Sequence, residues 1–329
     1  MRVILLKSRF KMTNDNVSAE NSNAQALLNQ IVLDYMRDKK RKKYGRWFKR
    51  FIFVILLAWG AYEFYSMNAK DTKDRLKPHV GLVDLKGEIF DNKAADSDNF
   101  IKGLKAAYKS KALKAIVLRI DSPGGSPVQA DYMFNSIKYY RQKYSDIKVY
   151  AVCVDMCASA AYYVAAAADE IYANPASLVG SIGVLYNGFG FVDTLQKLGV
   201  SRRLYTAGVN KGFMDQFSPV DPNQEKNLKV MLDTIHNQFI EQVKIGRGNR
   251  LHIDADTFSG LFWTGKQAKE RGLIDGFASS GQLARDVIKI DRIVNYTHET
   301  SILERLSKNI GTAMADELPL ALGMKPGIR

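Results

Sequence analysis

Two cysteines and four histidines in 329 residues leave little from which to build a metal or redox centre. Cys153 and Cys157 stand four apart, and no nearby histidine or second cysteine pair completes a zinc set. Their simplest reading is two small buried residues, Cys153 in a strand and Cys157 in the turn after it. No G-x-x-x-x-G-K-[ST] is present, so there is no phosphate loop. In "NGFGFVD", Asp193 stands where a dinucleotide fingerprint needs its third glycine. There is no G-x-S-x-G. None of His79, His236, His252 and His298 lies in a motif, so nothing points to a Ser-His-Asp triad. No tandem repeat is visible.

Charge of one sign is abundant, but in one place. A net +14 spread over the surface would suit a nucleic-acid binder. Instead, "MRDKKRKKYGRWFKR", Met36 to Arg50, holds nine cations against one Asp, and the remainder is only mildly basic. No nucleic-acid partner is expected. The apolar run "FIFVILLAWGAYEFYSM", residues 51–67, follows at once and is interrupted only by Glu63. As a helix its 17 residues span about 25 Å, short of the roughly 30 Å hydrocarbon core. Flanking Trp47 and Phe48, with Lys49 and Arg50 snorkelling, extend it. A transmembrane anchor is expected, with a buried or interfacial helix as the alternative. The positive-inside rule keeps residues 1–50 in the cytoplasm and exports everything after about 68. The run lies too far from the start, and lacks a clear cleavage site, for a simple signal peptide.

Four segments result: a basic cytoplasmic tail over 1–50, the anchor over 51–67, a charged linker over 68–79, and one exported domain over 80–329. In that domain "VGLVDL", "LKAIVLRI", "KVYAVCVD" and "DEIYAN" read as strands. "DSDNFIKGLKAAYKSK", "VQADYMFNSIKYYRQKY", "ASAAYYVAAAA" and "PNQEKNLKVMLDTIHNQFIEQVKIGR" read as helices, the last with Pro222 in its first turn. "SRRLYTA" reads as a further strand. Alternating strands and helices make the class α/β with mostly parallel strands.

Four places carry candidate chemistry, each beside a plainer reading. Ser159 opens a helix after a strand, where the helix N-terminus favours developing negative charge; serine is equally a favoured N-cap. Gly124 and Gly125 in "RIDSPGGSP" let the backbone turn sharply and present N–H groups inward; the same glycines make an ordinary strand-to-helix turn. Ser181 in "LVGSIGVL" is placed to hold an amine, or to bond buried backbone. Lys211 lies in the uncharged, Gly-rich "LYTAGVNKGF", whereas most lysines here lie in solvated runs. A serine nucleophile without histidine needs another base, and a neutral, desolvated lysine serves.

In this order and spacing, "RIDSPGGSP", "ASAAYYVAAAADEIYANPASLVGSIGV", "YTAGVNKGFMDQFSP" and "WTGKQAKERGLIDGF" resemble segments of the signal peptide peptidase A family of membrane-anchored Ser-Lys proteases. The resemblance covers roughly residues 80–284. It implies the ClpP/crotonase-like α/β superfold, with Ser159 as nucleophile, Lys211 as general base and Ser181 orienting the lysine amine. The Gly124–Gly125 turn and the Ala160 N–H would form the oxyanion hole. It implies no metal, nucleotide or other cofactor. It also implies a homo-oligomeric ring, an octamer, in which Ser159 of one subunit meets Lys211 of its neighbour. Substrates would be remnant signal peptides and other short, unfolded, apolar peptides, at the bacterial inner membrane with the catalytic domain in the periplasm. One departure stands out: Ala160 and Ala161 replace the glycines usual after the nucleophile. Three rivals stand beside this reading: an acyl-CoA-processing crotonase-like enzyme, a catalytically degenerate scaffold, and Cys157 as the true nucleophile.

Overall fold

The computed structural model describes residues 74–298, the helical residues 47–63, and residues 28, 30, 32–37 and 39. Most of the tail expected over 1–50 falls outside them, as do residues 64–73 and 299–329. Two compact units separate at residue 70. In the first, residues 47–63 form an exposed helix. Its expected continuation to Met67 lies outside the described residues. Among the described residues no helix is long and apolar enough to cross a membrane.

The second unit is built on an eight-stranded sheet. Its spine runs β6-β5-β3-β2-β1-β8, with β4 paired to β3 and β7 to β4. The strands are β1 (His79–Lys86), β2 (Leu113–Ser122), β3 (Lys148–Ala158), β4 (Glu170–Ala173), β5 (Leu178–Gly180), β6 (Phe262–Thr264), β7 (Gly276–Phe277) and β8 (Ile293–Asn295). Every pairing is parallel except β5 with β6. Parallel sheets are covered on both faces, which is why β2 reads as a nearly continuous apolar run. One face carries the main core, including Leu85, Ile116, Leu118, Ile120, Phe134, Tyr162 and Ile171. The other carries a smaller cluster of Val80, Leu82, Val117, Tyr150, Val152 and Leu283.

The helices start where their caps dictate. Asp96 accepts the Asn99 N–H before α1 (Ser97–Tyr108). Ser126 caps α2 (Pro127–Lys143), and Asp221 caps α5 (Pro222–Arg247), each followed by proline at the first turn. The alanine run makes a shorter helix than expected, α3 (Ala160–Ala165), every residue of which is buried. Its last turn tightens, with Ala167 and Ala168 N–H bonding to the carbonyls of Val164 and Ala165. That ending delivers Asp169 to β3, where its carboxylate accepts the Val149 N–H and its own N–H donates to the Val149 carbonyl. Two expectations need correction. Cys157 lies within β3 rather than in the turn after it, because a bulge between Cys153 and Cys157 lets the strand continue. Residues 201–207 form no strand: no neighbour among the described residues takes up their backbone groups, and Leu204 and Tyr205 stand exposed.

β3 divides its far edge between two partners. Residues 150–153 pair with β4 and residues 156–158 with β5. Buried Ser177 closes the gap, its hydroxyl donating to the Cys153 and Val154 carbonyls. A buried ion pair fixes the approach of α5. Arg247, 1% exposed, forks onto both Asp275 oxygens at 2.7 and 2.9 Å. Asp275 also accepts the Ile171 N–H at 2.7 Å. Burial pushes the Asp275 carboxyl up, but the Arg247 hydrogen bonds and charge outweigh it and leave the carboxyl below its usual range. A depressed carboxyl contributes stability that is present above its unfolded pKa, about 3.9, and is lost as pH falls through the folded value. Asp275→Asn therefore leaves Arg247 buried and uncompensated and costs about 3–5 kcal/mol at neutral pH. The deficit relative to the parent should shrink as pH drops below about 4. Chemical denaturation across that range checks it; a pH-independent deficit would count against the ion pair as its source.

Candidate active site

β3 ends at Ala158, and the chain turns at Ser159 with φ 54° and ψ −127°. A serine held there costs about 1–3 kcal/mol and persists only where its surroundings impose it. Ser159 occupies the N-cap position of α3, yet its side chain makes no capping bond. The plain N-cap role is therefore not the one it plays. Its N–H donates to the Gly180 carbonyl at 2.8 Å, and the residue is half-buried. The hydroxyl is thus presented at the C-terminal end of the sheet, at the start of a short helix.

Gly124 presses against it. A Cβ on Gly124 would lie 2.7 Å from the Ser159 Cβ and 3.0 Å from the Ala160 nitrogen. Gly124 has φ 102°, and its N–H donates to the buried Ser122 hydroxyl at 3.1 Å. Gly124 thus supplies room rather than an inward N–H. Gly125 sits against Ile89 in a short parallel bridge, where the Ile89 N–H bonds to the Gly124 carbonyl and the Ser126 N–H to the Ile89 carbonyl. The Gly125 N–H has no partner among the described residues. The first N–H groups of α3, Ala160 among them, have no intrahelical acceptor either. Unpaired donors on the turn and on α3 are what an oxyanion requires. Ser122 carries no motif of its own, and only its place two residues before Gly124 in "DSPGG" signals it.

Ser181 stands beside Ser159. β3 and β5 pair Ala158 with Gly180, so the next residue of each strand is a serine, on strands about 4.8 Å apart. Ser181 is also left-handed, with φ 52°, and its N–H donates to the Leu261 carbonyl at 2.8 Å. The neighbouring Ile182 carbonyl bonds to His236 Nε2 at 3.0 Å, which gives that histidine a packing role.

Lys211 is not brought to this cluster by any described contact within the chain. It lies exposed in a turn, its N–H bonded to the Gly208 carbonyl. Residues 183–221 form an arm with little cover. α4 (Val192–Lys197) buries no residue, and Leu185, Phe189, Leu198, Tyr205, Val209 and Val220 are all exposed. The arm has its own small nucleus, Phe191 stacked on Phe217 with Arg202 over the same ring and paired to Asp215.

Cys157 is fully buried. Burial, with the Cys153 thiol beside it, pushes its thiol well up, the opposite of a reactive thiolate. Ala160 and Ala161 are not among the residues at positive φ, so their methyl groups cost the backbone nothing here.

The comparisons bear on this cluster. A sequence profile of Peptidase family S49 matches residues 141–291, which contain Ser159, Ser181 and Lys211. A Clp protease profile matches residues 68–179, which contain the Gly124–Gly125 turn. The part of the chain that carries Ser159, Ser181 and Lys211 is thus similar to peptidase family S49. A putative signal peptide peptidase SppA of Enterococcus faecium is 27% identical over 229 residues, 67% of this chain and 66% of that protein. Protease 4 of Haemophilus influenzae is 26% identical over 231 residues, 68% of this chain and 36% of that protein. A Brucella abortus protein named Na(+)/H(+) antiporter NhaA is 42% identical over 182 residues. That match covers 55% of this chain but 25% of the other, so the chain spans only a quarter of that relative's length. A match so confined carries no transport activity to this chain.

The tight contacts make a direct test. Gly124→Ala drives a methyl into Ser159, and Gly125→Ala drives one to 2.2 Å from the Ile89 carbonyl oxygen. Each should cost about 1–3 kcal/mol. Gly281→Ala, whose Cβ would meet nothing within 4 Å, should be neutral. Equilibrium unfolding of the three variants checks the ranking.

Proposed function

We propose that this chain is a membrane-anchored serine endopeptidase with a Ser-Lys dyad. Neutral Lys211 takes the Ser159 proton, and Ser159 attacks a peptide carbonyl. The Gly125 and Ala160 N–H groups stabilise the oxyanion, and water then releases the acyl-enzyme. Ser181 orients the lysine amine. Substrates are cleaved signal peptides and other short, unfolded, apolar peptides. Residues 51–67 anchor the chain in the bacterial inner membrane, residues 1–50 remain in the cytoplasm, and the domain over 80–329 works in the periplasm. The basic run before residue 51 supports that orientation.

The observation that carries this reading is Ser159 itself: a left-handed serine at a strand end, free of its own cap and hard against a glycine turn. The base is supplied by a neighbour. Lys211 is exposed on an arm whose apolar residues lack cover within the chain, and such surfaces are buried between protein partners. A closed ring, taken as an octamer, covers the arm and brings Lys211 of one subunit to Ser159 of the next.

Ser159→Ala and Lys211→Ala should each lower hydrolysis of a fluorogenic apolar peptide by roughly 10⁴-fold or more. An equimolar mixture of the two, exchanged as subunits, should regain activity, because some interfaces then pair an intact Ser159 with an intact Lys211. Activity that survives Lys211→Ala removes the lysine as base. A mixture that stays inactive after demonstrated subunit exchange removes the shared site.

A further inference from the structure

The parallel sheet has two chemically different ends. Ser159, Ser181 and Gly125 all lie at the C-terminal ends of strands. At the opposite end, where β1, β2 and β3 begin, the chain enters the unit through residues 74–78. That end is basic: Arg75 and Lys77 precede β1, Lys109 and Lys111 lie in the turn from α1 to β2, and Lys114 is the second residue of β2. All five are exposed, and none forms an ion pair among the described residues. The acids at this end are fewer: Asp74 is paired with Arg292 at 3.2 Å, and exposed Asp146 and Asp291 precede β3 and β8.

The cations surround apolar surface. A groove of about 470 Å³ is lined by Arg75, Leu76, Ala106, Lys109, Lys111 and Tyr296, among others. Arg75 lies over the Tyr296 ring at 4.9 Å, and its carbonyl accepts the Ser110 hydroxyl, so the rim is held in place. Leu76 stands out between Arg75 and Lys77 with 78% of its surface exposed. An aliphatic tip ringed by unpaired cations matches an anionic bilayer surface, where the tip enters the headgroup region and each nearby cation contributes roughly fivefold to binding.

We infer that this basic end docks on anionic lipid headgroups and so turns the Ser159 end away from the bilayer. The inference rests on the membrane-anchor reading and adds an orientation to it. From residue 67 to Asp74 the chain reaches at most roughly 25 Å, so an anchored domain is always close to the headgroups. The attraction acts within about one Debye length, about 10 Å at 0.1 M salt, so it is felt once this end is against the surface.

The test uses the full chain reconstituted into vesicles of phosphatidylcholine alone, or of an equal mixture with phosphatidylglycerol. A thiol-reactive fluorophore is placed at exposed Ala106→Cys, in the groove, or at exposed Ser259→Cys, beside the Ser181 loop. Cys153 and Cys157 are buried and stay unlabelled. A nitroxide-headgroup lipid in the vesicles reads proximity. Expected is quenching at position 106 but not at 259, only in the anionic vesicles and weakened by salt. The double variant Lys109→Gln/Lys111→Gln should lower the docking equilibrium constant by at least roughly tenfold, and Leu76→Ser should weaken it further. Incorporation without preferential quenching at 106 overturns the docking and leaves the anchor intact. Equal quenching in both vesicle types overturns the charge recognition. A probe at 106 shielded from solvent without lipid quenching identifies a protein occupant and overturns the lipid. A chain that washes off the vesicles overturns the anchor and the docking together.

Discussion

The approach of the Gly124 turn to the end of β3 is the constraint on which the site depends. Three segments meet around Ser159: the turn after β2, which leaves no room for a Cβ on Gly124, the left-handed serine itself, and the Gly180–Ser181 step after β5, whose Gly180 carbonyl accepts the Ser159 N–H. Each is held from outside the cluster, the turn by Ile89 and Ser122, Ser159 by the Gly180 carbonyl, and Ser181 by the Leu261 carbonyl. Strain at one residue is tolerable because the sheet and the fully buried α3 behind it fix everything around it. A serine in an ordinary helical start would have used its hydroxyl to cap α3. The left-handed backbone withholds it from that task and leaves it for an external partner.

Much of this was legible in the sequence. The apolar strands, the long helix opening at Pro222 and the turn residues of "DSPGG" carry strong local signals, and their boundaries follow caps and prolines. The order of "SPGG", "ASAA", "VGSIG" and "GVNKG" was enough to suggest the family. What was not legible is tertiary. Nothing local says that Cys157 stays in β3, because the bulge is set by pairing with β2. Nothing local says that 201–207 lacks a partner strand, since "RRLYTA" has suitable residue types and only the absence of a neighbour decides. The different jobs of Gly124 and Gly125, one for room and one for a free N–H, appear only once Ser122 and Ile89 are in place.

The chain divides its labour between rigid and uncovered parts. The cluster around Ser159 rests on buried side chains on both faces of the sheet, whereas the arm that bears Lys211 has only Phe191, Phe217 and Arg202 as a nucleus. In the proposed dyad, the serine would be the half built into the core, and the lysine the half carried on a segment with little of its own burial to lose.

The pairing of β1 with β8 carries a consequence for how the domain is made. β1 begins at His79 and takes its second neighbour from residues 293–295, and the His79 ring bonds to the Tyr296 hydroxyl across 217 residues of chain. A parallel sheet closed in this way has high contact order, and its loop-closure entropy is spent before the last strand repays it. The first strand therefore keeps an open edge until nearly the whole domain has been synthesised. The domain can therefore lock only after almost all of its chain has emerged, and every earlier strand waits on the last one.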